Sequence, residues 1–182
     1  KQRLPDDLEP EFSEIYQTVS PYTMVSVQRQ YSVYSVARYV VERGIPGAVV
    51  ECGVWRGGCL MICAQVLQRR TVAPRTLYAY DTFAGMTRPD GRDVNNGRIA
   101  LTIWEQRQRG GVTDWCYAAR EDVEANLGST GYPMERVRLI KGDVLETIPH
   151  DAPDQIALLH LDTDWYASTR HELQHLHITL AQ

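Results

Sequence analysis

A doubly wound, Rossmann-like α/β domain is the fold this sequence predicts, and three observations predict it. Four short apolar runs alternate with segments of helical periodicity. The runs finish in acids, namely Glu51, Asp81, Asp143 and Asp162. A glycine-rich turn, Gly53 to Gly58, joins the first run to the helix after it. Strands that alternate with helices imply right-handed crossovers and a parallel sheet covered on both faces. Ligands of such sheets bind at the carboxyl ends of the strands.

The elements follow in chain order. Val27, Tyr31, Tyr34, Ala37 and Val41 recur at spacings of three and four, which marks an amphipathic helix. Gly44 follows as its C-cap, and Pro46-Gly47 opens a turn. Ala48 to Cys52 reads as a short buried strand, and Leu60 to Gln68 as a helix beyond the glycine turn. The second strand runs from Thr76 to Tyr80 and closes on Asp81. Between Gly85 and Trp115 the pattern breaks into a polar, glycine-rich stretch carrying Trp104 and Trp115. Such a stretch is either a lid or binding loop, or a disordered insertion. A helix near Arg120 to Leu127, a third strand near Val137 to Ile140, a fourth at Gln155 to Leu161 and a helix near Ser168 to His177 complete the pattern.

Of the 182 residues, 43% are hydrophobic and 23% charged, enough for one domain with a real core. A net charge of −4 gives no long-range attraction for a phosphate backbone, so a nucleic-acid partner is not expected. No apolar stretch reaches the roughly 20 residues that span a bilayer, and KQRLPDDLEPEF has no signal-peptide core. The sequence therefore predicts no membrane association and a cytoplasmic protein. Cys52, Cys59, Cys63 and Cys116 form no C-x-x-C pair and read as free buried thiols.

The strand-end acids carry the chemistry. The glycine turn lacks the G-x-G-x-x-G fingerprint of dinucleotide binding. A strand-end acid before a glycine turn suits a ligand with an amine and a carboxylate, because the glycines admit close backbone approach. The same residues also fit a tight turn with capping acids. Asp81 stands where a ribose diol would be held. Four acids on one sheet edge suit a nucleoside ligand with a cationic centre, such as S-adenosylmethionine, since like charges gathered without a partner would be costly.

Five segments in order, YTMVS (22–26), GIPGAVVECGVWRGG (44–58), YDTFAGM (80–86), GYPMERVRLIKGDVLETIP (131–149) and LLHLDTDWYASTRHEL (158–173), resemble the macrocin O-methyltransferase (TylF-type) family of class I methyltransferases. The resemblance implies a class I methyltransferase sheet and S-adenosylmethionine-dependent transfer of a methyl group to a hydroxyl, assisted by Mg2+. The acceptor it implies is a small molecule, often a sugar hydroxyl of a natural product. By position, Thr23 and Met24 would close over the cofactor, and Glu51 and Gly53 would flank its methionine part. Asp81, with Thr82 beside it, would hold the ribose, and Asp143 and Val144 would border the adenine. Asp162 matches the first metal-ligand acid and is the candidate to receive the acceptor's proton, directly or through the metal. Residues 1–43 then read as a helical lid segment ahead of an α/β cofactor domain, 44–182.

Asp164 either reaches the metal or caps the following helix. His160 alternates with Asp162 along its strand and either acts near the site or is a packed, hydrogen-bonded histidine, the reading the sequence favours. His171, His175 and His177 read as a solvated helix face, Trp165 and Tyr166 as core or pocket wall, and Trp104 and Trp115 as stacking surfaces or simple packing. Family sheets continue into a strand that ends in two adjacent acids, whereas HITLAQ (177–182) comes before any such strand. The expectation is a sheet truncated after its fourth strand and helix, with an incomplete set of metal ligands. The open edge predicts a homo-oligomer, and the missing acids leave a silent cofactor-binding module as the alternative to an enzyme.

Overall fold

The computed structural model describes residues 8–70, 74–110 and 112–181. The outer ends of the two predicted segments, residues 1–7 and Gln182, lie outside the described residues. Ahead of the sheet come helices α1 (Pro10–Val19) and α2 (Val27–Glu42). Strand β1 (Ala48–Cys52) leads through the glycine turn into α3 (Gly58–Arg69), followed by β2 (Leu77–Asp81). Helices α4 (Ala100–Gln106) and α5 (Arg120–Gly128) precede β3 (Val137–Lys141). A short α6 (Val144–Thr147), β4 (Ile156–Leu161) and α7 (Tyr166–Leu176) complete the set.

The four long strands form one parallel sheet in the order β3-β2-β1-β4. The chain runs outward from β1 to β3, then crosses back to place β4 on the other side of β1. That reversal creates a crevice where the ends of β1 and β4 diverge, the place where doubly wound sheets hold ligands. Leu180 makes a parallel bridge beside Ile156, and the Ala181 N–H donates to the Ile156 carbonyl at 2.8 Å.

Strand alternation divides the core in two. Val49, Leu77, Ala79 and Leu158 face α1, α2, α3 and α5, where Phe12, Tyr34, Leu60, Ile62 and Leu127 are fully buried. Val50, Cys52, Tyr80 and Ile156 face the other way, against Val144, Ile148 and Leu176 of the α6–α7 side. Each such aliphatic side chain removed from water contributes about 1.5–3 kcal/mol, so both faces are held by burial. Helix α2 starts at Ser26, whose side chain accepts from the Arg29 N–H, and Gly44 follows it at φ +62°, a conformation that favours glycine.

The described residues of the 85–115 stretch, all but residue 111, hold defined structure rather than forming a disordered insertion. The stretch carries the two-residue ladders Val94–Asn95 with Arg98–Ile99 and Gln108–Arg109 with Val112–Thr113, around α4. Side chains and backbone tie it down: Trp104 Nε1 donates to the Met86 carbonyl at 2.8 Å, and buried Asp93 accepts from the Asp90 and Tyr166 N–H groups. Trp104 thus spends its indole on packing. Trp115 lies edge-on to Trp165, ring centroids 5.5 Å apart, with the Arg107 guanidinium 5.7 Å from its ring centroid.

Candidate functional site

Two glycines set the geometry at the ends of β1 and β4. Gly53 has φ +80°, and a Cβ there would stand 2.6 Å from the Asp162 carbonyl oxygen. The Asp162 N–H donates to the Cys52 carbonyl at 2.8 Å, which brings the β4 terminus against the β1 turn. A Cβ on Gly58 would meet the Tyr22 carbonyl and Thr23 Cβ, each at 2.7 Å, so this glycine admits the 22–25 segment over the start of α3. Local chain chemistry thereby builds the crevice before any ligand is considered.

Asp81 organises the turn. Its Oδ2 accepts from the Val54 N–H at 2.8 Å and the Trp55 N–H at 2.9 Å, and its Oδ1 accepts from the Phe83 N–H at 2.9 Å. Both readings of the sequence therefore meet in one residue: Asp81 caps the turn and also lines the cavity. Asp143 behaves similarly at the third strand, accepting from the Leu145 N–H as N-cap of α6 while facing the cavity.

One cavity of about 240 Å³ gathers these ends. Of the residues anticipated from sequence, Met24, Gly53, Asp81, Thr82, Asp143, Val144 and Asp162 line it, and Asp164 lines it as well. Thr23 and Glu51 stand behind the wall. Thr23 Oγ1 lies 3.7 Å from Cys59 Sγ. Glu51 is the register partner of His160, so alternation turns both side chains to the same face, and Glu51 Oε1 lies 2.9 Å from His160 Nδ1. Burial drives the Glu51 carboxyl up from the usual carboxylate range, and the His160 hydrogen bond opposes that shift. Glu51 Oε2 is buried without a hydrogen-bond partner among the described residues. His160 is thus the packed, hydrogen-bonded histidine that the sequence suggests.

Arginine 29 is the participant that spacing did not reveal. From the first turn of α2 its Nη2 donates to Asp162 Oδ1 at 2.9 Å, and Arg29 lines the same cavity. Asp164 is raised in pKa by burial and by the neighbouring Asp162 charge, with Arg29 opposing. Its cavity position, with Trp165 rather than Asp164 at the N-cap of α7, separates it from the capping alternative.

For a divalent cation the cavity offers the Asp162 and Asp164 carboxylates, with an arginine already on the first. Magnesium asks for near-octahedral oxygen coordination, and the described residues do not by themselves supply it. A ligand atom from each of Glu51, Cys59 and His160 falls within 4.8 Å of the others, but the set is behind the wall, and the Glu51–His160 hydrogen bond accounts for its closeness. The four cysteines are free, as expected, and burial raises the thiols of Cys52, Cys59 and Cys63 above their usual range. On α7, His171 bonds the Ile148 carbonyl and His175 the His171 carbonyl, and His177, just past the helix, bonds the Leu173 carbonyl. These three serve α7 and its contacts, away from the cavity.

Comparison with known proteins adds the following. A family model described as Macrocin-O-methyltransferase (TylF) matches residues 17–182. The chain is 29% identical over 157 residues to the demethyldecarbamoylnovobiocin O-methyltransferase of Streptomyces niveus, covering 86% of this chain and 57% of that protein. It is 28% identical over 171 residues to the mycinamicin III 3''-O-methyltransferase of Micromonospora griseorubida, covering 94% of this chain and 65% of that one. The solved structure of the O-methyltransferase NovP superposes with a TM-score of 0.75 at 27% identity, over 88% of this chain and 63% of that chain. The calicheamicin methyltransferase CalS11, at 23% identity and a TM-score of 0.59 over 100% of this chain and 80% of that one, shares the fold. The chain spans less than two thirds of the length of the curated relatives it matches.

Proposed function

The chain belongs to the macrocin-O-methyltransferase (TylF) family, and from that premise we propose that it binds S-adenosylmethionine in the strand-end cavity and serves methyl transfer to a hydroxyl. The acceptor class is a sugar or other natural-product hydroxyl, by analogy with relatives named for such products. The observation that supports this reading most is the convergence of Gly53, Asp81, Asp143 and Asp162, from four separate strand ends, on one cavity.

The cofactor, when bound, supplies an electrophilic methyl on a sulfonium. The protein's task is then alignment and proton removal. In our reading Asp81 and Thr82 receive the ribose, Asp143 and Val144 border the adenine, and Gly53 with Met24 encloses the methionine end. Thr23 and Glu51 support that end from behind the wall. Asp162 takes the acceptor proton at a carboxylate oxygen, with Oδ1 steadied by Arg29 and Oδ2 free of hydrogen bonds among the described residues. Within the N-terminal segment, Met24, Val25 and Arg29 close over the cavity, while α1 and the rest of α2 pack into the core.

A second reading, a cofactor-binding module without turnover, draws on the Arg29–Asp162 pair, which occupies the proposed base. Incubation with methyl-labelled S-adenosylmethionine and a panel of free and aglycone-linked deoxysugars separates the two. Label appearing on an acceptor oxygen, and lost in Asp162→Asn, supports the enzyme. Cofactor binding with no transfer to any member favours the module, and no binding refutes both.

A further inference from the structure

Behind the loop that carries Asp162 and Asp164 lies a carboxyl that the proposed chemistry does not use. Glu172 of α7 is 0% exposed. Its two oxygens share one hydroxyl: Thr163 Oγ1 lies 2.9 Å from each. No cationic side chain pairs with Glu172 among the described residues, and the Asp143 carboxylate acts on it repulsively. Thr163 is held a second time, because Thr169 Oγ1 donates to its carbonyl at 3.1 Å. Thr163 itself lines the cavity, between the two acids.

We infer that Glu172 and Thr163 are positioning residues, a clamp that fixes the Asp162–Asp164 loop on α7 so that both acids face the cavity. A buried carboxyl without a cation is an expensive way to fill a core position, and apolar residues of similar volume generally do it as well or better. Ser168, Glu172 and Leu176 form the buried face of α7, and a leucine at the middle position would continue that stripe. What leucine would not do is hold the Thr163 hydroxyl. With Thr163 released, the loop keeps the Asp162 N–H bond to Cys52, the Thr169 hydroxyl bond to the Thr163 carbonyl and the Arg29–Asp162 pair, but loses its side-chain anchor to α7, and the carboxylates beside it lose part of their fixed direction. A misdirection of about 1 Å is enough to lower turnover a hundredfold in an alignment-controlled reaction.

This assignment rests on the methyltransferase reading for its consequence, while its geometry can be tested alone. The experiment compares Glu172→Leu, Glu172→Gln and Thr163→Val in the whole chain by backbone amide NMR, adenosylhomocysteine calorimetry and steady-state methyl transfer. The clamp predicts that Glu172→Leu folds with an unreduced melting temperature, yet shifts the amide resonances of Asp162, Thr163 and Asp164. Thr163→Val reproduces those shifts, the Thr163→Val/Glu172→Leu pair adds nothing further, and Glu172→Gln restores the wild-type positions. For turnover it predicts a fall of tenfold or more in kcat for Glu172→Leu and Thr163→Val, with KM for the cofactor and the adenosylhomocysteine Kd within twofold. Unmoved loop resonances in Glu172→Leu overturn the clamp whether or not the wild type transfers methyl. Failure of wild-type adenosylhomocysteine binding overturns the functional reading and leaves the resonance test of the clamp standing.

Discussion

The Arg29 guanidinium and the Asp162 carboxylate, 133 residues apart in sequence, meet at 2.9 Å across the mouth of the strand-end cavity. The contact joins the N-terminal helical segment to the acid on which the proposed chemistry turns. Arg29 is 61% exposed and Asp162 28%, so the pair is a solvent-screened one. It can open at little cost when an acceptor hydroxyl approaches.

Arg29→Gln is therefore expected to change unfolding stability by less than about 1 kcal/mol, the range of exposed ion pairs. It should leave methyl transfer within a few-fold of wild type. Asp162→Asn is expected to lower kcat by about 10²–10⁴, the usual worth of a positioned acid or base. Steady-state kinetics of the two variants checks both. Equal loss in both would mean that the pair, and not Asp162 alone, is required.

Asp81 holds three backbone N–H groups of the turn that leads from β1 into α3 and of the 82–83 corner. Asp81→Ala leaves those donors without their partner, at about 1–3 kcal/mol for each that remains out of water. Adenosylhomocysteine affinity should fall at least tenfold, and the melting temperature should fall with it. Calorimetry on the folded variant checks this: affinity unchanged alongside a lowered melting temperature would assign Asp81 to the turn and remove it from the ribose.

Gly53→Ala is expected to be more disruptive than its added methyl suggests. At φ +80° an L-residue is strained, and the new Cβ would stand 2.6 Å from the Asp162 carbonyl oxygen. The β1 turn and the β4 terminus must separate, so stability and adenosylhomocysteine binding fall together. Denaturant unfolding and calorimetry report the two, and a variant as stable as wild type would contradict the close approach.

The buried Glu172 carboxyl titrates at about 7, raised from 4.5 first by burial, with the Thr163 hydroxyl opposing and Asp143 adding to it. A carboxyl whose folded pKa exceeds its unfolded value binds its proton more tightly in the folded state. Its stabilising contribution is complete below pH 4.5 and is lost as pH rises through about 7. Glu172→Gln should therefore gain stability relative to wild type across that window, by up to about 3 kcal/mol at the alkaline end. Thermal unfolding of both proteins between pH 5 and 8 measures the difference. A constant difference across the range would exclude the titration.

Much of the fold was legible in local sequence. Ala48–Cys52 is nearly all apolar because both faces of a central parallel strand are covered, and Gly44 marks the end of α2 because the chain turns left-handed there. Of the nine anticipated site residues, Thr23 and Glu51 lie behind the wall, and for Glu51 period-two alternation explains it. Glu51 points with Val49 toward the α1–α3 side, where His160 is its neighbour. What sequence reasoning missed depends on tertiary contact. Arg29 looks like one more polar residue on the outer face of α2, and nothing local pairs it with Asp162. Glu172 did leave a signal, since Ser168, Glu172 and Leu176 fall at i, i+4 and i+8 on one helix face, and an acid between two buried positions marks a carboxyl taken into the core. The structure of the described residues in the 85–115 stretch was obscured by its polarity: its ladders are only two residues long, and its anchors are indole, carboxylate and backbone groups rather than an apolar stripe.

The account stands most directly on adenosylhomocysteine titration of the folded chain by calorimetry, beside Gly53→Ala and Asp81→Ala. One site per chain, weakened at least tenfold in either variant, is the predicted result. A folded wild-type chain that gives no binding heat at several temperatures, or one whose binding is indifferent to both substitutions, would contradict the assignment of the strand-end cavity to the methyl donor.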